Sequence, residues 1–236
     1  MPFGYYGYYF DPTYILVLIG ALICMFASIG VNSAMRKYQN VRNCSGITGA
    51  DAAMRILRYQ GITDVRVECL NQGQGDHYDP RSRAVRLSYE NYHSASVTAV
   101  AVAAHECGHA AQHHEEYAML KIRSAFAPVA NIGSSLGFPI IILGVILGWS
   151  QILIEIGIWA FALGVIFQLI TLPVEFDASR RALQTVSGYG ILTEEEKKGG
   201  KKVLTAAAWT YVAATAAALL QLLRLVLLFG GRRRDD

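Results

Sequence analysis

Residues 105 to 109 read His-Glu-Cys-Gly-His, two imidazoles and a carboxylate in the spacing His-Glu-x-x-His. At about 100° per residue, helical positions i and i+4 lie on one face a turn apart, so His105 and His109 can both turn a ring nitrogen toward one Zn2+. Glu106 then stands beside the pair, where it can hold the metal's water and remove its proton. Zinc lowers the pKa of bound water toward about 7, which makes a usable nucleophile at neutral pH. Small residues surround the motif in AVAAHECGHAAQH, and Gly108 costs about 1 kcal/mol in a helix interior, so a close-packing role is expected for it. Cys107 projects about 200° away from His105 and is expected to pack rather than bind metal.

Catalytic zinc needs a third protein ligand and an open fourth position. The candidates are Glu175, Asp177, His77, His93, His113 and His114. His113 and His114 fall where the helix should be ending and read as a polar, solvated terminus. Gln112 and Glu115 exclude the metzincin spacing His-x-x-Gly-x-x-His. Glu175 follows Pro173 in LPVEFDASRRAL, directly after an apolar run, where an acid is costly without a partner. A metal would provide one. Arg180 and Arg181 nearby are explained as positive anchors at a membrane surface, with substrate contact as the weaker reading.

A hydrolytic zinc site also calls for a hydrogen-bond donor at the developing oxyanion. His77, with Tyr78 beside it, lies on a Gly-rich loop in DHYDP and is the catalytic candidate for that role. If Val85 to Ser88 is an edge strand, a peptide could add to it and bring its carbonyl to the metal. The alternative is that Asp76 to Pro80 is only a turn built from Asp, Pro and Gly.

The elements that must carry these residues are mostly apolar. Of 236 residues 53% are hydrophobic and 17% charged, which excludes disorder, collagen and coiled coil and points to a membrane protein. A net charge of +3, from 21 basic and 18 acidic residues, is too balanced for a nucleic-acid footprint. The four cysteines share no ligand-like or disulfide spacing, so free thiols in a reducing compartment are expected. Membrane helices are expected at Tyr14 to Val31, Val129 to Trp149, Ile152 to Leu172 and Ala206 to Phe229. The first is preceded by an aromatic cluster without Lys or Arg, as in an uncleaved anchor. The second and third form a tight hairpin, with Pro139 as a kink candidate and Glu155 near the turn; Arg224 in the fourth is expected to snorkel.

The divisions expected are an anchor at 1–35, a polar zinc-peptidase block at 36–123, a transmembrane hairpin at 124–172, a second polar segment at 173–205, and a last helix with a basic tail at 206–236. The fold class is therefore a mainly α membrane protein with a small α+β zincin-like domain, a short sheet and a His-Glu-x-x-His helix. Thr48-x-x-Asp51 should cap a helix that Gly61 stops; TDVRVECL and RAVRLS should be strands; Ser94 or Ser96 should cap the zinc helix; and Thr193-x-x-Glu196 is a further capping box. Eleven basic residues at 36–123 and six at 180–202 put 17 of 21 on one side, which the positive-inside rule assigns to the cytoplasm. The same topology leaves Arg232 to Arg234 outside, so a buried, non-crossing last helix stays open as an alternative.

Together GITGADAAMRIL, DHYDPRSRAVRLS, AVAAHECGHAAQH, PVANIGS and LPVEFDASRRAL resemble the YugP-type family of neutral zinc metallopeptidases of bacterial membranes, over nearly the whole chain. The resemblance implies a cell-membrane peptidase with Zn2+ as cofactor and peptides or membrane proteins as substrates. A more distant likeness to HtpX-type and prenyl-protease-type enzymes implies His105 and His109 as ligands, Glu106 as base and Glu175 as third ligand. The gluzincin pattern Glu-x-x-x-Asp is broken here, because position 179 is Ser; Asp177 is then either a partner of a ligand histidine or the third ligand itself, ranked behind Glu175. A membrane scaffold with structural zinc is the competing function, and an intramembrane protease of the site-2 type is disfavoured by the short apolar run Val97 to Ala104.

Overall fold

The computed structural model describes residues 11–71 and 73–230; the aromatic cluster at 1–10 and the Arg232 to Arg234 tail lie outside them. Four of the described helices are long and apolar enough to cross a membrane: α1 (Tyr14–Gln39), α5 (Ala118–Ile146), α6 (Gln151–Gly188) and α7 (Glu194–Phe229). Each runs on without a break through positions 35, 123, 172 or 205, where the composition changes between apolar and polar. Pro173 is accommodated inside α6, so Glu175 lies within a helix that continues to Gly188 rather than just past its end.

Helices α1 and α7 pack antiparallel, with Ala217 against Gly20 near one end and Gly199 against Tyr38 near the other. Arg224 does not simply snorkel. Its guanidinium lies 3.3 Å from Asp11 and 4.2 Å above the Tyr14 ring, because the start of α1 offers it both a carboxylate and an aromatic face. Only 17% of the apolar window of α7 is buried, which is not the environment of a non-crossing core helix. Helices α5 and α6 form the expected hairpin through a turn at Leu147 to Ser150, and Gly137 and Gly157 let their backbones touch. Gln151 donates to the Phe229 carbonyl, so the hairpin turn and the end of α7 share one end of the bundle.

The opposite end carries the polar domain. Helix α2 (Gly49–Tyr59) opens with a Thr48/Asp51 capping box and closes at Gly61, whose φ of +71° suits a residue without Cβ. Three strands follow, β1 (Arg66–Cys69), β2 (His77–Asp79) and β3 (Ala84–Leu87), then the short α3 (Tyr89–His93) and α4 (Val97–His114). The sheet order is β1-β3-β2, parallel between β1 and β3 and antiparallel between β2 and β3. Two expectations change here. Val85 to Leu87 is the central strand, so its ladder is already used and no peptide can add to it; β1 and β2 are the edges. Asp76 to Pro80 is not merely a turn, because His77–Asp79 is one of those edges. It is pinned by Asp79, whose carboxyl is held down to about 2 by the Ser82 hydroxyl, the Arg81 backbone N–H and the Arg86 guanidinium.

Val65, just before β1, and Val67 within it pack against the core, but Cys69, at the strand's end, is exposed rather than half-buried. Helix α4 is the centre of the domain, capped by Ser96 at the Ala99 N–H and buried on most sides by α2, β3, α6 and α7. Gly108 has the packing role expected of it: a Cβ there would meet the Ala178 carbonyl oxygen of α6 at 2.6 Å. Cys107 packs in the core with its thiol toward the Ala53 carbonyl, and burial pushes its pKa up.

Candidate metal centre

Helix α4 presents His105 and His109 one turn apart, and the close α4–α6 approach at Gly108 brings Glu175 across from them. Glu175 Oε2 lies 3.3 Å from His105 Nε2 and 3.6 Å from His109 Nε2, and the ligand atoms of the three residues all fall within 4.8 Å of one another. Donors at the corners of a zinc tetrahedron with bonds of about 2.0–2.1 Å are about 3.3 Å apart, so the spacing suits that ion. Glu175 Oε2 is buried and has no hydrogen-bond partner, a costly state for a carboxylate oxygen that a cation between the three donors would relieve. Burial alone would lower the His109 pKa, yet Glu175 and the charge of Glu106 raise it, so the field at this point favours positive charge.

The far sides of both rings are held. Gln112 is fully buried and spends its amide NH2 on the Val174 carbonyl and Asp177 Oδ2, at 2.8 and 2.9 Å. Its oxygen is then left to accept from His109 Nδ1 at 3.0 Å, which assigns the proton to Nδ1 and frees Nε2 as a donor atom toward Glu175. Ser179 Oγ sits 3.1 Å from His105 Nδ1 and can do the same for that ring. Ser179 is one helical turn beyond Glu175, at the position where the gluzincin pattern carries Asp, so a hydroxyl occupies the place of the expected carboxylate.

Asp177 is not among the three clustered donors. It holds Gln112 and pairs with Arg180 and Arg181, and Arg181 reaches on to Glu115; these ion pairs account for both arginines. Glu175 keeps its second oxygen 3.4 Å from Arg123 of α5.

Glu106 is buried and lines a cavity of about 250 Å3 together with His105, Glu175 and Ser179. Val102, Leu204, Ala207 and Ala208 give the same cavity apolar walls. Tyr211 of α7 also lines it, and sequence reasoning passed it over; the only signal was a phenol inside an alanine-rich apolar run.

The structure does not bring His77 to this cavity. Its ring is exposed, 3.0 Å from the Gly75 carbonyl, in a surface groove with Leu70, Gln74 and Arg86, because the strand that carries it places it on the far side of the sheet edge. Tyr78 bonds His113 Nδ1 at 2.8 Å in a different cavity, His114 is exposed, and His93 packs on Tyr89 and Tyr92.

Residues 13–230 match the model of a family described as "Putative neutral zinc metallopeptidase". A protein of Bacillus subtilis (strain 168) named "Putative membrane protease YugP" is 46% identical over 180 residues, which span 76% of this chain and 80% of that protein. No solved structure matches the chain.

Proposed function

The chain belongs to the neutral zinc metallopeptidase family, and on that premise we propose that it is a membrane-bound endopeptidase acting on membrane-proximal segments of peptides and proteins. The observation that carries this reading is the buried Glu175 Oε2, without a hydrogen bond and facing the two histidine Nε2 atoms, beside a cavity that also holds Glu106.

In this reading His105, His109 and Glu175 hold the zinc. When bound, the ion would polarise the scissile carbonyl and make a water acidic enough to attack at neutral pH. Glu106 takes the proton from the attacking water and passes it to the leaving amine. Tyr211 replaces His77 as the donor we assign to the developing oxyanion, since it shares the cavity. Gln112 and Ser179 keep both imidazoles in the tautomer that leaves Nε2 free. Three protein donors beside an open cavity with an acid in it suit catalysis better than a structural zinc, which closes its fourth position with protein.

Glu175 lies three residues beyond the apolar run ending at Leu172, about 5 Å along the helix, so a scissile bond must come down close to the bilayer. Tethered segments are held at that depth at high effective concentration. The polar domain faces the cytoplasm in this account, on the side of 17 of the 21 basic residues.

The test is cleavage by the full chain in proteoliposomes of one peptide sequence, either anchored by a transmembrane helix or free. The anchored form should be cut at least about tenfold faster, and Glu106→Gln should abolish both cleavages by about a hundredfold or more. Equal rates for the two forms contradict the membrane-proximal reading, and undiminished cleavage by Glu106→Gln contradicts the catalytic one.

A further inference from the structure

The face of α7 that turns away from the metal centre carries a second, unassigned feature. Lys198, Lys201 and Lys202 border a surface cavity of about 510 Å3 that extends past Thr205 to Ala206 and Trp209. Ala206 and Trp209 also open a second cleft of about 470 Å3 between α7 and α1, walled by Ile23, Phe26 and Gly30 on one side and Val212, Ala213 and Ala216 on the other. The two cavities share residues and form one path, charged at its start and apolar along its length.

Charges along this turn do not cancel. Glu194 and Glu195 are engaged by Lys197 and Lys198, while Glu196 is committed to the Thr193 cap and the Cys44 N–H. Among the described residues, Lys201 and Lys202 have no ionic or hydrogen-bond partner, and both are exposed. From Ala206 to Ala216 the cleft runs about 15 Å along the helix, half the thickness of a hydrocarbon core of about 30 Å. Trp209, 60% exposed, stands at the junction, where an indole suits the headgroup boundary.

We propose that this path is a binding site for one anionic phospholipid, its phosphate between Lys201 and Lys202 and an acyl chain in the α1–α7 cleft. The unpaired lysines select the headgroup charge, and the small side chains of α7 leave the depth an acyl chain needs. The site is separate from the metal centre, since Val203, Leu204, Ala207, Ala208 and Tyr211 face that cavity from the other side of α7. It stands whether or not the chain is a peptidase.

Trp209 is its own reporter once Trp149 and Trp159 are replaced by Phe. The full chain in that background is reconstituted in phosphatidylcholine vesicles containing an equal mole fraction of either acyl-brominated phosphatidylglycerol or acyl-brominated phosphatidylcholine. Titration of Trp209 quenching should give a preference for phosphatidylglycerol of about tenfold, falling close to unity in Lys201→Gln/Lys202→Gln. Gly30→Leu, at a position where an added Cβ meets nothing within 4 Å, narrows the cleft and should weaken quenching by both lipids while the circular-dichroism spectrum stays that of the parent. Equal quenching by the two headgroups, a preference unchanged by the lysine substitutions, or quenching unchanged by Gly30→Leu each overturns the proposal. So does quenching that vanishes as the protein-to-lipid ratio rises, which would mean that a second copy covers the cleft.

Discussion

Ser179 and Gln112 show how much of a metal site lies behind its ligands. Each meets the Nδ1 side of one imidazole, and neither could bind the ion itself from there. If Ser179 sets the His105 tautomer, Ser179→Ala should cost about 10- to 100-fold in zinc affinity or activity while the protein stays folded. Competition with a chromogenic chelator measures the affinity, and unchanged affinity would leave the hydroxyl with no role in the site. Ser179→Asp, which restores a carboxylate at that position, should keep the affinity. The clustering of His105, His109 and Glu175 was expected from sequence: helical period pairs the two histidines, and the cost of an acid beside an apolar run, with the family resemblance, ranked Glu175 ahead of Asp177. Tyr211 was not, because its cavity neighbours lie far away along the chain; Gln112 is one turn from His109, but the direction of its amide is set by Val174 and Asp177, which are distant in sequence. His77 failed for a related reason: residue type suggested a donor, but only the register of β2 on β3, which sets His77 opposite Arg86, decides which face of the sheet it occupies.

At the scale of elements, the site depends on how closely α4 approaches α6. Gly108 permits contact with the Ala178 backbone, so Gly108→Ala must push the helices apart by several tenths of an ångström. We expect a loss of about 1–3 kcal/mol of stability, with weaker zinc binding because Glu175 moves with α6. Denaturant unfolding and zinc titration of the same variant check both parts; full stability together with full affinity would contradict the packing argument. Caps at Thr48, Ser96 and Thr193 and the four apolar helices follow local rules and were legible. Strand β2 and the central place of β3 were not, because a three-residue strand leaves no periodicity to count and register is settled by distant partners.

For the whole molecule, the bundle separates two ends. Asp11, Arg224, Phe229 and the Leu147 to Ser150 turn gather at one, and the polar domain stands at the other. Exposed Cys44 and Cys69 belong to the polar end, while Leu147, 61% exposed, marks the opposite one. If the polar domain is cytoplasmic, a membrane-impermeant maleimide should spare both native thiols in intact cells and label a Leu147→Cys variant. The reverse pattern inverts the topology. Charge counting gives this orientation as an expectation, whereas the Asp11–Arg224 pair, which ties together the first and last helices of the chain, needed the fold.

The proposed function depends on His105, His109 and Glu175 holding one metal ion across the α4–α6 contact. The most direct test is the zinc stoichiometry of the purified chain beside that of Glu175→Ala, measured by elemental mass spectrometry. The account predicts close to one zinc per chain in the unmodified protein and little in Glu175→Ala. Absence of zinc from the unmodified protein after exposure to the metal, or an equal content in the variant, would contradict it.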